Sequence, residues 1–294
     1  MSIIFSCLCS FVLSVSVLLS ARVFPFQPAQ CQVEQVTESV EVVESKSDPA
    51  RELLERLEAA HAAVTSFSSP LTYRKEYALE GDHETRLGEV ALRGHGIDRE
   101  IVLFFELVID ASGHGTDDAR YHVYKDGWWT EVNPGRKQVL ARQMQPAGSI
   151  RDPFDLGEGP LPLPIGQKAS RVLARFEVRL GEKPDDIVLH GITDPHVLHL
   201  EPRAGTPAAE DIESIDLLYD RETLLPVGLL VVDRTGDRTT AWLRKPRAAV
   251  DDTVFAGRAG EARTLIERAG TDSAWTVDRK PLPTPVTETD GGGS

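Results

Sequence analysis

The sequence predicts an α+β fold, with one long antiparallel sheet and a few short helices. An amphipathic helix opens the folded part of the chain near residue 49. Segments of alternating apolar and polar residues then follow one another, separated by Gly, Asp and Asn turns. The regular strand–helix repeats of a parallel sheet are missing, so a Rossmann or TIM-barrel fold is not expected.

Composition and charge exclude several classes of protein. The chain has 294 residues, of which 41% are hydrophobic and 27% charged. These are ordinary globular values for one or two domains, and they exclude a wholly disordered or multi-pass membrane chain. The net charge of -14 at pH 7 gives no long-range attraction for nucleic acid, so no nucleic-acid partner is expected.

The two ends of the chain differ from its middle. Residues 3–19 are apolar with interspersed serines, as in a secretory signal peptide that is cleaved after Ala21 or Cys31. The alternative is an uncleaved membrane anchor facing the periplasm, because no Lys or Arg precedes the apolar run. We therefore predict a periplasmic protein with a signal peptide at 1–31, an acidic linker at 32–47, a folded domain at 48–256 and a C-terminal extension at 257–294. The extension is expected to be disordered from about residue 280.

The opening helix has recognisable start and stop signals. Asp48 is a suitable N-cap, and Pro49 suits the first helical position. The helix is expected to stop near Ser66, since Pro70 prevents its continuation. Apolar residues with helical spacing form its predicted buried face: Leu53, Leu57, Ala60, Val64 and Phe67.

Strands follow in both halves of the domain. Asp126-Gly127 predicts a tight hairpin that pairs residues 128–134 with residues 121–125. Further alternating segments lie at 196–202, 211–220, 224–233 and 238–245. Together these segments predict an antiparallel meander.

A Pro- and Gly-rich segment at 151–168 separates the two sets of strands. It is too irregular for a helix or strand but carries Phe154, Leu161, Leu163 and Ile165. An apolar loop of this kind must either be covered by another part of the protein or cover an apolar surface itself. We expect it to close the same opening of the sheet as the first helix.

The polar residues give no catalytic or metal-binding motif. His196 and His199 have an odd spacing, which places them on opposite faces of a strand. Glu201 shares the His199 face but does not complete a cluster. His95 and His114 lie in Gly-rich loops, without a nucleophile elbow, P-loop or zinc-protease motif. The sequence therefore predicts no enzyme activity, no metal and no cofactor.

Ordered motifs give the chain a resemblance to a known family. They are LLERLEAAHAAVTSF, KDGWWTEVNPGRKQVL, LHLEP, IESIDLLYD and LPVGLLVVDRTG, with a closing Phe255. In this order they resemble the LolA-like periplasmic carriers of outer-membrane lipoproteins. The resemblance implies an unclosed antiparallel β-barrel, that is, a strongly curved sheet with helices covering its concave face.

The resemblance also implies a lipid-binding cavity between sheet and helices. Its expected lining residues are Leu57, Val64, Phe67, Tyr73, Phe105, Val123, Trp129, Phe154, Leu161, Leu163, Ile165, Leu198 and Leu217. Arg93 corresponds in position to an arginine that holds the lid in the carriers.

Two functions follow from these expectations. The first is a monomeric, non-catalytic envelope protein that binds a lipid or the acyl chain of a lipoprotein and meets envelope transport proteins. The alternative is an envelope scaffold or sensor domain with a filled core that binds a protein partner. An empty apolar cavity of several hundred Å³ distinguishes the first from the second.

Overall fold

One long sheet organises the protein. The computed structural model describes residues 48–95, 98–146, 156, 164–185, 187, 189, 191–248 and 253–282. The helices in these ranges are α1 (Pro49–His61), α2 (Ala169–Arg175), α3 (Ala208–Asp211) and α4 (Thr253–Ala269). The strands are β1 (Ser66–Tyr77), β2 (Asp82–Arg93), β3 (Glu100–Ile109), β4 (Gly115–Lys125), β5 (Trp128–Asn133), β6 (Gln138–Gln143), β7 (Phe176–Leu180), β8 (His196–Pro202), β9 (Ile212–Tyr219), β10 (Pro226–Asp233), β11 (Arg238–Leu243), β12 (Arg247–Ala248) and β13 (Thr276–Lys280).

The sheet is antiparallel almost throughout and does not close. Its strands lie in the order β13-β6-β5-β4-β3-β2-β1-β11-β10-β9-β8-β7, with β12 beside β1. Only β13 pairs in parallel, with β6, among the strand pairs of the described ranges. The order begins at β13 and ends at β7 without pairing these two strands. The predicted α+β fold with an unclosed antiparallel sheet is confirmed.

Helix α1 begins as predicted and ends earlier than predicted. The Asp48 carboxylate accepts a hydrogen bond from the Ala50 N–H at 3.0 Å, which caps the helix. The helix ends at His61, and Ser66 already pairs with Arg93 in the sheet. Helical periodicity continues to Phe67 in the sequence, but strand pairing determines the conformation there, because each paired residue gains cross-strand hydrogen bonds.

A register shift with one extra residue on β3 interrupts the pairing of β2 with β3 near the middle of β2. The register of β2 on β3 shifts between Leu87 and Gly88. A Cβ atom at Gly88 would collide with the Phe104 carbonyl oxygen, so no larger residue fits this close approach. A bulge bends its strand and increases the twist, and this one lies opposite the point where β2 changes from mostly charged to mostly apolar residues.

Different helices pack against the two faces of the sheet. We call inner the face that carries Phe67, Phe105 and Leu217, against which α1 and α2 pack in one apolar cluster. The opposite, outer face is covered by α4 over strands β2 to β6. The α+β prediction placed helices on one face, and the structure adds this second layer.

The domain boundary expected at residue 256 falls inside α4. Ala262 and Ala269 of this helix are buried against a cluster that includes Phe104 and Val132. Beyond the helix, β13 joins the sheet beside β6. Residues 257–282 therefore belong to the same folded layer structure as the strands they cover.

Several predicted features lie outside the described residues. They are the signal peptide at 1–31, the linker at 32–47, the tail from 283 onward, and Phe154, Leu161 and Leu163 of the apolar loop. Within the residues that are described, no helix combines the length and apolar character needed to cross a membrane.

Candidate functional site

A cavity of about 280 Å³ opens on the inner face of the sheet. It lies over strands β1 to β5, β10 and β11, and its volume is close to the lower end of the range for ligand pockets, about 300–1,000 Å³. The lining residues are Leu71, Tyr73, Lys75, Glu84, Arg86, Val90, Leu103, Phe105, Arg120, His122, Trp129, Glu131, Pro164, Leu229, Ala241 and Leu243.

The floor of the cavity is apolar because the strands present alternate residues to the inner face. Leu71 pairs with Leu243 across β1 and β11, and Tyr73 pairs with Ala241. Leu229 of β10 stands opposite Ala241 on the other side. Since successive residues of a strand point to opposite faces, these pairs form one continuous apolar surface.

Aromatic rings form a second wall. The Tyr73 and Phe105 ring centroids are 5.9 Å apart, and the Phe105 and His122 rings meet edge to face at 5.9 Å. The Trp129 ring follows at 5.7 Å from His122. Such offsets suit aromatic pairs, and the row places a broad, flat surface beside an aliphatic floor.

Charged residues occupy the mouth. Arg86 lies 3.1 Å from the Glu84 carboxylate and 3.0 Å from the Asp118 carboxylate. The Asp118 carboxylate also accepts from Arg120 at 2.9 Å. Burial alone would lower the pKa of Arg86, but its hydrogen bonds to Asp118 and Glu84 outweigh burial and raise the pKa. The Arg86 guanidinium therefore stays charged, and the Glu84 and Asp118 carboxylates already compensate its charge.

His122 is the unusual polar residue of the cavity. Its Nδ1 atom is buried and has no hydrogen-bond partner among the described residues. Burial is the main cause that lowers the pKa of His122, and the nearby Glu131 carboxylate opposes the shift without reversing it. The imidazole is consequently neutral at pH 7.

A hydrogen-bonded anchor holds the edge of the cavity beside Pro164. His61, at the end of α1, lies 2.9 Å from the Leu224 carbonyl through Nε2, and its Nδ1 accepts from the Gly166 N–H at 3.4 Å. The Tyr219 hydroxyl donates to the Pro164 carbonyl at 3.1 Å. Burial lowers the pKa of His61, so the ring remains a neutral acceptor for Gly166.

The structure places some predicted lining residues at the cavity and others beside it. Tyr73, Phe105 and Trp129 line it. Six more are buried in the inner-face cluster without lining the cavity: Leu57, Val64, Phe67, Ile165, Leu198 and Leu217.

Two predicted residues, Val123 and Arg93, lie on the outer face. There they line a second cavity, of about 440 Å³, between α4 and the sheet. Arg93 pairs with Glu100 at 2.6 Å and stacks over the Phe255 ring at 4.4 Å. Arg93 faces away from the inner cavity because alternate residues of a strand share a face. Ala91, two residues earlier, packs with Phe255 on the outer face, whereas Leu92 belongs to the inner-face cluster.

Sequence reasoning missed the charged mouth and His122. No sequence motif marks Arg86, Arg120 or His122. Strand register alone reveals them, since Phe105 pairs with Arg120, and Leu103 pairs with His122.

The outer face carries a small ionic cluster of its own. His199 Nδ1 lies 2.6 Å from Asp216, and Nε2 lies 3.2 Å from Glu201. Across the described ranges, no three His, Cys, Asp or Glu side chains are grouped to hold a metal ion. A nucleophile beside this cluster would be needed for acyl-transfer chemistry, and no hydrogen bond of the described residues joins one to His199.

The fold can be compared with known proteins. No protein-family model matches the sequence, and no curated protein matches it either. Solved structures do match the fold of this chain. The chain is similar to a LolA superfamily protein from Nitrosomonas europaea, with 13% identity, a TM-score of 0.31, and 70% of this chain and 96% of that chain covered.

Two further structures have comparable similarity. One is a putative outer membrane lipoprotein-sorting protein domain from Vibrio parahaemolyticus, with 12% identity, a TM-score of 0.35, and coverage of 74% of this chain and 98% of that chain. The other is MucB in the Pseudomonas aeruginosa MucA/MucB complex, with 18% identity, a TM-score of 0.37, and coverage of 69% and 58%. The chain thus spans less than two thirds of that MucB chain. Similarities of this size concern the fold alone.

Proposed function

We propose that this chain is a non-catalytic envelope protein that binds the acyl chain of a lipid or lipoprotein in its inner-face cavity. The observation that supports the proposal is the cavity itself, an open space with an aliphatic and aromatic floor on one face of an unclosed sheet. A filled core would have left no such space. Export to the periplasm belongs to the same proposal, because a carrier of acyl chains acts between membranes.

The chemistry of the walls favours a hydrocarbon. Leu71, Leu229, Ala241 and Leu243 offer no hydrogen-bonding side chain. Apolar surface gains free energy when it leaves water, about 0.8 kcal/mol for each buried methylene. The charged mouth stays in contact with the same cavity, so an amphiphile with one apolar end satisfies both regions.

Filling the cavity tests the proposal directly. Ala241 is only 8% exposed and lies on the floor, so Ala241→Phe places a ring in the space that the chain would occupy. Ala111→Phe makes the same chemical change in the exposed turn between β3 and β4 and serves as the control. We expect Ala241→Phe to weaken binding of a fluorescent acyl ester about tenfold or more, and Ala111→Phe to leave it unchanged.

Thermal stability of the same variants separates the two functions. A ring in an empty cavity costs little, whereas overpacking a filled core costs about 1–3 kcal/mol. Unaltered binding by Ala241→Phe would show that the acyl chain does not use this cavity.

A protein-binding scaffold is the second proposed function, and the observation that favours it is a sheet edge with no neighbouring strand among the described residues. β13 is the terminal strand, and its Val277 side chain is 51% exposed. An unpaired strand edge offers backbone hydrogen bonds to an added strand. If the protein is a scaffold, Val277→Lys should abolish binding of the protein partner at β13. Ala241→Phe should then lower the free energy of unfolding, and the parent protein should bind no acyl ligand in the inner-face cavity.

A further inference from the structure

The cavity between α4 and the outer face of the sheet, which we call the outer-face cavity, is large enough for a ligand. Its volume of about 440 Å³ lies within the usual range for ligand pockets, about 300–1,000 Å³. Small side chains line it on both sides, Ala259 and Ala262 from α4 and Ala141 from β6, which leaves room between helix and sheet. Apolar surface of this kind favours the hydrocarbon part of a ligand, because burial removes both surfaces from water.

The charged residues around the outer-face cavity have the opposite balance to the whole chain. The chain carries 46 Asp and Glu residues against 32 Lys and Arg residues, whereas four cations and two carboxylates line this cavity. These six residues are Arg93, Lys125, Arg263, Arg279, Glu100 and Asp126. An excess of cations around a cleft with apolar walls attracts anions.

Two of the four cations already share a carboxylate. Glu100 contacts Arg93 at 2.6 Å and Lys125 at 2.8 Å. Within the described part of the chain, neither Arg263 nor Arg279 forms an ion pair with a carboxylate, and Asp126 lies in the exposed turn between β4 and β5. Arg263 and Arg279 are therefore the cations that remain for an anion.

The Trp128 ring holds the Arg279 guanidinium in place. Arg279 Cζ lies 4.0 Å from the centre of this ring, as in a cation–π contact. A guanidinium stacked on its flat face keeps N–H donors along its edge, and these match the oxygens of a carboxylate or phosphate. Because Arg279 is on β13 and Arg263 is on α4, the two cations border the cavity from the sheet and from the helix.

We propose that the outer-face cavity binds an anionic amphiphile, with its hydrocarbon between α4 and β6 and its oxyanion head on Arg263 and Arg279. A fatty-acid carboxylate and a phospholipid phosphate share this chemistry. The site is separate from the inner cavity, because the two lie on opposite faces of the sheet, and the inference does not depend on the proposed function.

Ligands with one hydrocarbon chain and different heads test the site. Octyl phosphate, octanoate, octanol and inorganic phosphate are titrated by calorimetry into full-length Ala241→Phe, in which a ring occupies the inner cavity. We expect the tighter of the two octyl anions to bind about tenfold or more tightly than octanol, and its identity distinguishes a phosphate from a carboxylate head. Inorganic phosphate should bind about tenfold or more weakly than that anion, because it brings no hydrocarbon.

Two results of these titrations overturn the inference. In the first, octanol binds as tightly as both octyl anions, or neither anion binds. In the second, inorganic phosphate binds as tightly as the octyl anions, so that the hydrocarbon contributes nothing.

Substitutions in the same background locate the ligand. Arg263→Gln combined with Arg279→Gln should weaken binding of the preferred octyl anion about tenfold or more. Arg51→Gln combined with Arg56→Gln is the matched control, because it removes the same charge from exposed positions of α1 and should leave the affinity unchanged.

Ala259→Phe fills the outer-face cavity from α4 and should weaken the same binding about tenfold or more. Unchanged affinity in Ala259→Phe, or in the variant that lacks Arg263 and Arg279, overturns the inference. If Ala259→Phe fails to fold, the arginine variant still decides, because both arginine side chains are exposed.

Discussion

Acidification should loosen the anchor that His61 forms at the end of α1. His61 is 3% exposed and is held by the Leu224 carbonyl and the Gly166 N–H. Burial lowers its pKa in the folded protein, whereas the unfolded chain protonates near the ordinary value of about 6.5. Below about pH 6.5 the unfolded state therefore binds more protons than the folded state, and stability falls as the pH falls.

The size of this effect follows from the linkage. One group contributes at most about 1.4 kcal/mol per pH unit between the two pKa values. For a domain of this size, 1 kcal/mol corresponds to about 2–4 °C in the melting temperature. The His61 contribution is fully present above about pH 6.5, and we expect it to fall by up to about 3–6 °C per unit below that pH.

Variants isolate the contribution of His61 from other titrating groups. His61→Phe leaves the Leu224 carbonyl without a partner, so at pH 8 it should unfold more easily by about 1–3 kcal/mol. Tyr219→Phe is the matched control, because it breaks the nearby hydrogen bond to Pro164 and removes a group whose pKa burial raises far above neutral. Melting curves of the three proteins recorded between pH 8 and pH 5 give the change of melting temperature with pH for each protein.

The melting temperatures of the parent protein and His61→Phe should converge as the pH falls. The difference in melting temperature between the parent protein and His61→Phe should shrink below about pH 6.5. The difference between the parent protein and Tyr219→Phe should stay constant. A gap between parent and His61→Phe that is the same at pH 5 and pH 8 would refute the account of His61.

Three further outcomes are expected. Leu57 is 3% exposed on α1, so Leu57→Ala should lower the free energy of unfolding by about 2–5 kcal/mol in a urea titration, whereas Leu79→Ala, at a side chain 93% exposed, should change it by less than about 0.5 kcal/mol. Arg258 contacts Glu89 at 2.9 Å and lies 3.9 Å from the centre of the Phe104 ring, so Arg258→Ala should speed hydrogen exchange of α4 amides; unchanged exchange would exclude this anchor. N-terminal sequencing of the native protein should begin after about Cys31, and a sequence that starts at Met1 would count against cleavage.

Local sequence signals predicted the elements whose geometry is set by nearby residues. The hairpin at Asp126-Gly127 was predicted from its turn residues, and both have positive φ, 50° and 78°, as a tight hairpin turn requires. The capped start of α1 was likewise readable from Asp48 and Pro49.

Features that depend on long-range pairing were not readable. Helix α4 buries only Phe255, Ala262 and Ala269, so its sequence has too little apolar periodicity to show that it covers the sheet. Arg93 was expected at the lid, but strand register turns it toward α4. The orphaned atom of His122 depends on rings from β3 and β5, which no local pattern brings together.

The central claim is that the inner cavity holds an acyl chain. Mass spectrometry of an organic-solvent extract of the full-length protein, purified from its native envelope without detergent, tests it most directly. The account predicts an acyl-containing lipid at close to one molecule per chain, and much less in Ala241→Phe purified in parallel. An extract of the parent protein with no more acyl lipid than the Ala241→Phe extract would contradict it.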